Sequence, residues 1–430
     1  MTTTAPPTDS ATDLAAQCRA LADRAAVASR ALAASSSADR TSALHAIARA
    51  IRDASPAIQQ ANAKDLEAGK TAGLSSAMLD RLTLDAGAVE AVANAVDNIA
   101  KQPDPLGQVV EGRVLDNGIT LEKRRVPIGV VLMIYESRPN VTSDAAALCI
   151  RAGNAVILRG GKEATHSNRA LADAIAAGLE QAGLDPHTVQ LVQTTDRAAV
   201  SELLKMEGKI DVCIPRGGPG LIQAVTEQAR IPVLKHDAGN CHLYIDARCD
   251  PQMAVDIVLN AKTQRPGVCN AIETLLVHAD AAAQGTLHRV CEVLARAGVE
   301  VRGDARTQAE FPGAKTATDA DWATEFLDMI LAVRVVDSLE QAAQHINYYG
   351  SKHTEAILTD DYAAAERFTR LIDAANVFVN CSTRFADGGQ YGLGAEIGIS
   401  TNKLHARGPV GAQDLTTTQW VARGNGQTRK

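Results

Sequence analysis

Between Ile128 and Leu234 short apolar runs alternate with amphipathic stretches, and this alternation constrains the fold more than any other feature of the chain. The spacing predicts strand Ile128 to Ile134, helix Thr142 to Arg151, a Gly153-Asn154 stop, strand Ala155 to Leu158, helix Ser167 to Gln181 and strand Val189 to Val192. Helix Asp196 to Met206, strand Ile210 to Ile214, helix Pro219 to Ala229 and strand Pro232 to Leu234 follow. Strands separated by single helices need crossovers, which give a parallel sheet with helices on both faces. Ligands of such a sheet are expected beyond the carboxyl ends of its strands. A second α/β block is expected from Met253 to about Val379, followed by a glycine-rich stretch, Gly388 to Gly398.

The first hundred residues read differently. Leu14, Cys18, Leu21, Ala25, Ala28 and Leu32 recur at helical spacing, and Leu44, Ile47 and Ile51 repeat the pattern, so this region is expected to be helical packing surface. From Val109 to Val126, β-like runs flank Asn117-Gly118, which suits a tight hairpin turn. Lys123, Arg124 and Arg125 at its end read as a solvated sheet edge, with an anion site as the weaker alternative. Residues from Thr416 onward are polar and are expected to be loose beyond Trp420.

Composition excludes several classes. A chain of 430 residues, 46% apolar and 22% charged, has enough apolar surface for two or three domains. The run Val126 to Tyr135, broken by Pro127 and Gly129, is about half of what a bilayer-crossing helix needs, so no membrane role is expected. The polar tail Met1 to Ser10 is unlike a secretion signal and is expected to fray. Eight cysteines from Cys18 to Cys381 without CxxC spacing fit reduced thiols in a cytoplasmic protein. A net charge of −7 disfavours nucleic acid as a partner and leaves a small molecule. His236, His242 and His278 match no metal-ligand spacing, so no metal is expected.

Three polar turns follow strands of the first block: Glu136 to Asn140, Arg159 to Lys162 and Pro215 to Gly220. Glycines there let backbone amides approach a phosphate, and Arg159, Lys162 and Arg216 favour anions, although none of the turns fits GxGxxG and a plain structural turn stays open. Cys269 lies in TQRPGVCN, behind a Pro-Gly turn, with Lys262 and Arg265 nearby to favour a thiolate. The competing reading is a small buried hydrophobe, which is expected of the other seven cysteines.

PIGVVLMIYESRPNVT, ILRGGKEATHSN, QRPGVCNAIET and YGLGAEIGIST, in this order and spacing from about Leu14 to Leu415, resemble the signature segments of the gamma-glutamyl phosphate reductases, a branch of the aldehyde dehydrogenase superfamily. The resemblance implies an aldehyde dehydrogenase-like α/β fold: two doubly wound domains plus a small β oligomerisation segment. Residues 1–105 and 127–242 would form the NADP-binding domain, 243–404 the catalytic domain, and 106–126 with 405–430 the oligomerisation hairpin and C-terminal segment. It also implies NADPH-dependent reduction of L-glutamyl 5-phosphate to L-glutamate 5-semialdehyde through a cysteine thioacyl intermediate, in a homo-oligomer supplied by glutamate 5-kinase.

By the same resemblance Cys269 is the nucleophile, and Asn140, otherwise a helix cap, helps hold the oxyanion. Arg159 and Lys162, otherwise surface charges, face the adenosine ribose; Lys162 replaces a glutamate of many NAD-specific members and so favours NADPH over NADH. Glu325, otherwise an exposed loop carboxylate, grips the nicotinamide ribose, and Pro215, Arg216 and Gly217 form the other cofactor turn. Arg138, Arg265 and Arg384 are candidates for the substrate's phosphate and α-carboxylate, or else structural ion pairs. The water-activating glutamate of oxidising members is absent at His236 to Asn240, where His236 or Asp237 remains a candidate base. The alternatives are an oxidising aldehyde dehydrogenase of other specificity and a noncatalytic nucleotide-binding protein.

Overall fold

The structure, a computed structural model, describes residues 9–136, 138–235 and 238–429. The tail before Asp9, expected to fray, lies outside them, as do His236 and Asp237. The chain forms two compact units, one taking in the chain through Lys235 with 392–398 and 410–430, the other 236–391 with 399–409.

The first unit opens with helices Asp9–Ala34, Ser37–Asp53, Ser55–Thr71, Ser76–Leu82 and Ala86–Ala100. Their apolar stripes are buried as the spacing requires: Cys18, Ala25, Ala28 and Leu32 on the first, Leu44, Ile47 and Ile51 on the second. Ser36 and Asp39 form a reciprocal capping box at the second helix, which fixes its start.

Strands β1 (Val109–Val114) and β2 (Thr120–Pro127) form the antiparallel hairpin. Gly118 sits at φ 85°, a region costly for a residue with a Cβ, and the Asn117 side chain accepts the Ile119 amide at 3.2 Å. Two expectations fail here. Strand Thr416–Arg423 pairs along the other side of β2, so Lys123 to Arg125 lie on the central strand of a three-stranded sheet rather than on an edge. That same strand keeps the chain ordered to Arg423, because Lys123 and Arg113 cover the Trp420 ring and the ladder extends past it.

Strands β3 (Val130–Tyr135), β4 (Ala155–Gly160), β5 (Val189–Leu191) and β6 (Val212–Arg216) form a parallel sheet in the order β5-β4-β3-β6. The connecting helices are Asn140–Arg151, Thr165–Gln181 and Arg197–Leu203, with Pro219–Gln228 after β6. Val130, Leu132 and Ile134 pack with Ala155, Ile157 and Cys213 against the first helix. Pro232–Leu234 is not a strand of its own. It contributes a single bridge between Val233 and Cys213, since Pro232 has no amide hydrogen for a ladder.

The second unit holds a seven-stranded parallel sheet: β7 (Cys241–Ile245), β8 (Ile272–His278), β9 (Glu300–Gly303), β10 (Lys315–Thr316), β11 (Ile330–Val336), β12 (Thr354–Leu358) and β13 (Asn376–Val379). Its order is β10-β9-β11-β8-β7-β12-β13. Alternate residues feed two cores: Leu243, Ile245, Leu275 and Val277 join one cluster, Tyr244, Leu276 and Ile357 the other. Both faces are therefore covered, as a parallel sheet requires. Among the described residues no helix is long and apolar enough to cross a membrane.

Candidate active site

In the first unit strand order reverses between β3 and β6, and the expected turns leave the carboxyl ends of β3, β4 and β6. A crevice at such a reversal is where open α/β sheets take ligands. Glu136, just after β3, donates its amide to Arg216 O (3.1 Å) and accepts the Gly218 amide on Oε2 (3.1 Å). Its carboxylate thus caps the positive end of helix Pro219–Gln228. A Cβ on the exposed Gly217 would sit 2.4 Å from that carboxylate, while Pro215 is buried and Arg216 half-buried behind it.

Asn140 is not a cap. Pro139 holds the N-cap position and Asn140 is the first helical residue, exposed, its amide nitrogen donating to Asp144 Oδ2 at 2.9 Å. Burial raises the Asp144 carboxyl to about 6 against that bond. Arg138 is exposed on the same turn.

At the end of β4 the Arg159 guanidinium donates to Gly160 O (3.2 Å) and Thr195 O (3.0 Å), while its Nε is buried without a partner among the described residues. Burial lowers its pKa, with Glu163 acting the other way. Lys162 is exposed at the start of a short 3-10 turn. Gly160, Gly161, Thr165, Asn168 and Thr194 line a shallow concavity beside them. The glycines and the exposed Lys162 cation suit the phosphorylated end of a dinucleotide.

In the second unit the candidate residues cluster at the amino ends of the strands instead. Helix Pro251–Thr263 ends shortly before the Cys269 turn, and β8 begins three residues after it. The Cys269 thiol is half-buried, and the turn around it is fixed on several sides. Cys241 Sγ donates to Cys269 O at 3.1 Å; Asn270 Nδ2 donates to Ala386 O at 2.9 Å; Thr383 Oγ1 donates to Asn270 O at 2.7 Å. Gly239 lies so close that a Cβ there would meet the Cys269 carbonyl oxygen at 2.1 Å. The Gly239 amide in turn donates to Glu325 Oε1 at 2.9 Å. Glu325 is therefore half-buried rather than an exposed loop carboxylate, and burial raises its pKa despite the Gly239 bond.

Arg384 is half-buried, oriented by Gln264 through a 2.8 Å bond from Nε. Burial lowers its pKa, and exposed Arg265 lowers it further while Asp387 and Cys269 act the other way, so Arg384 belongs to the electrostatic surroundings of the thiol and Arg265 to those of Arg384. Lys262 does not. It is fully buried, with Nζ donating to Glu273 Oε2 at 2.6 Å and Ile272 O at 3.0 Å, which neutralises its charge inside the core.

Cys18, Cys149, Cys213, Cys241 and Cys291 are buried, but Cys249 and Cys381 are only half-buried. Burial pushes all seven of these thiols up, Cys249 and Cys291 to about 12. His242 is buried with Nδ1 3.0 Å from Glu355 Oε2, and His278 caps a short helix by accepting the Asp280 amide. Sequence reasoning missed Gly239, Asn270, Thr383 and the Lys262–Glu273 pair. Only the glycine of HDAGN carried a local signal; the others are defined by partners remote in sequence.

The aldehyde dehydrogenase family model matches residues 5–309. The chain is 51% identical over 417 residues to a gamma-glutamyl phosphate reductase of Geotalea daltonii, covering 97% of this chain and 100% of the relative. It is 53% identical over 409 residues to the protein of the same name from Desulfatibacillum aliphaticivorans, covering 95% and 98%. The crystal structure of gamma-glutamyl phosphate reductase from Thermotoga maritima superposes with a TM-score of 0.94 at 40% identity, covering 96% of this chain and 100% of that one.

Proposed function

The chain belongs to the aldehyde dehydrogenase family and is an oxidoreductase, and we propose that it reduces L-glutamyl 5-phosphate to L-glutamate 5-semialdehyde with NADPH, releasing phosphate, in the cytoplasmic synthesis of proline. The observation that carries the reading is the Cys269 turn, a half-exposed thiol clamped by Gly239, Cys241 and Thr383 with Arg384 in its electrostatic surroundings. Whole-length likeness to proteins named for this substrate supports the choice of acyl phosphate.

The Cys269 thiolate attacks the γ-carbonyl and the phosphate leaves, giving a thioester on Sγ. The side-chain amide of Asn140 and the backbone amide of Cys269 hold the oxyanion as it forms. NADPH, when bound, supplies the hydride that brings the thioester to the aldehyde level. Collapse of the resulting thiohemiacetal frees the aldehyde and restores the thiolate. Arg159 and Lys162 receive the 2′-phosphate of the cofactor, Pro215, Arg216 and Gly217 line its other turn, and Glu325 grips the nicotinamide ribose. Arg138, Arg265 and Arg384 meet the substrate's phosphate and α-carboxylate. No glutamate stands at 236–240, so the thioester lacks the residue that directs water in oxidising members, and Asp237 is the one carboxylate of that segment.

Val109, Val110, Val114 and Trp420, all exposed on the three-stranded sheet, provide the apolar surface for a homo-oligomer. Glutamate 5-kinase is the metabolic partner that makes the labile substrate.

The reverse reaction tests the reading. Glutamate 5-semialdehyde should drive NADP reduction only when inorganic phosphate is present. A rate independent of phosphate would instead identify an oxidising aldehyde dehydrogenase.

A further inference from the structure

Lys262 and Glu273 are both 0% exposed, and Nζ lies 2.6 Å from Oε2. An ion pair this deep loses the hydration of both charges, so apolar residues of similar volume would serve the core as well or better. Its remaining bonds show where it acts. Lys262, at the end of helix Pro251–Thr263, also donates to Ile272 O, the first residue of β8, and so closes the loop that carries Cys269. Glu273 Oε1 accepts the amide of Leu327 at 3.1 Å. Leu327 is two residues beyond Glu325 and sits at φ 54°, a left-handed conformation that is strained for a non-glycine residue. The segment that carries Glu325 is thus held at one end by Glu273 through Leu327, and at the carboxylate itself by the Gly239 amide beside Cys269.

We infer that the buried Lys262–Glu273 pair is a positioning device: it locks the 325–327 segment in its strained path, so that Glu325 is already placed for a nicotinamide ribose when the cofactor arrives. This rests on the ribose role proposed for Glu325. Neither Lys262 nor Glu273 touches substrate or cofactor in this scheme. The pair exchanges the stability of an apolar core for the fixed height of one carboxylate beside the nucleophile turn.

The test is direct titration of the full-length enzyme with NADPH, together with thermal midpoints. The Lys262→Met/Glu273→Leu double variant removes both charges at similar volume. It is expected to keep its midpoint within a few degrees while NADPH binds roughly tenfold more weakly. Glu325→Gln should weaken binding by a similar factor, and the triple variant should bind no more weakly than Glu325→Gln alone, because the pair acts only through that carboxylate. An inert filler pair would produce no such non-additivity. Parent-like affinity in the double variant with weakened affinity in Glu325→Gln would overturn the anchor and leave the ribose role standing. Parent-like affinity in Glu325→Gln would remove the ribose role and the anchor with it, and additive losses in the triple variant would also overturn the anchor. Should the double variant not fold, Glu273→Gln decides alone: its one amide oxygen can serve Lys262 or Leu327 but not both, so the same loss is expected, and unchanged affinity would overturn the inference.

Discussion

The two sheets present their candidate residues at opposite ends. In the first unit the turns leave the carboxyl ends of β3, β4 and β6, and of their basic members Arg138 and Lys162 are exposed while Arg159 and Arg216 are half-buried. In the second, Gly239, Cys269 and Glu325 precede β7, β8 and β11 and are fixed by bonds to backbone atoms. The difference separates two tasks. Binding a long flexible anion tolerates side chains that move, and its specificity is a matter of which charges face outward. Covalent chemistry on one sulfur does not tolerate movement, since a displacement of about 1 Å can cost about a hundredfold in rate.

That contrast is most exposed to failure at Cys269. Cys269→Ser should lower turnover by roughly 10⁴-fold or more while NADPH still binds, measured by single-turnover kinetics and titration. Loss of binding and turnover together would mean that the sulfur serves the fold.

Two glycines sharpen the comparison. Gly239→Ala puts a Cβ 2.1 Å from a backbone oxygen that cannot step aside, so kcat should fall on the order of a hundredfold. Gly217→Ala meets the Glu136 carboxylate at 2.4 Å, but that side chain can rotate, and only a few-fold rise in KM for the cofactor is expected. Equal effects on kcat would erase the distinction between a rigid half and a compliant one. Lys162→Glu addresses charge alone: KM for NADPH should rise about tenfold and that for NADH should fall slightly, as an exposed cation opposite a phosphate implies.

The smallest expected effect at neutral pH concerns stability. Burial lowers His242 and His345 to about 3. Below about 6.5 the unfolded chain takes up protons that these rings refuse, so their contribution is complete above 6.5 and is lost as pH falls toward 3. For His345 this amounts to a few kcal/mol, on the order of what its shift allows. His345→Gln should flatten the acid limb of the thermal midpoint against pH; an unchanged limb would place the acid sensitivity elsewhere.

Much of this was legible beforehand because it is local. The strand–helix alternation from β3 to β6 follows from periodicity, the hairpin from Asn117-Gly118, and the turn that carries Cys269 from Pro266-Gly267. The C-terminal strand had a signal that its polarity masked: Thr416 to Thr418, Trp420 and Val421 favour strands even where one face meets water. Lys262 misled because proximity in sequence says nothing of direction; four residues short of Pro266 it turns inward to Glu273. The expected polar turns do leave the carboxyl ends of the first sheet's strands, whereas in the second sheet the Cys269 turn enters β8 at its amino end. Asn270 to Ala386 and Thr383 to Asn270 are contacts between remote segments, and no window of sequence contains both partners.

Peptide mapping after brief treatment with iodoacetamide at neutral pH tests the central claim most directly. Cys269 should be modified first and well ahead of half-buried Cys249 and Cys381, whose thiols burial holds protonated, and prior addition of the acyl substrate should protect it. Uniform labelling of the eight cysteines, or Cys249 or Cys381 reacting before Cys269, would contradict the assignment of the nucleophile.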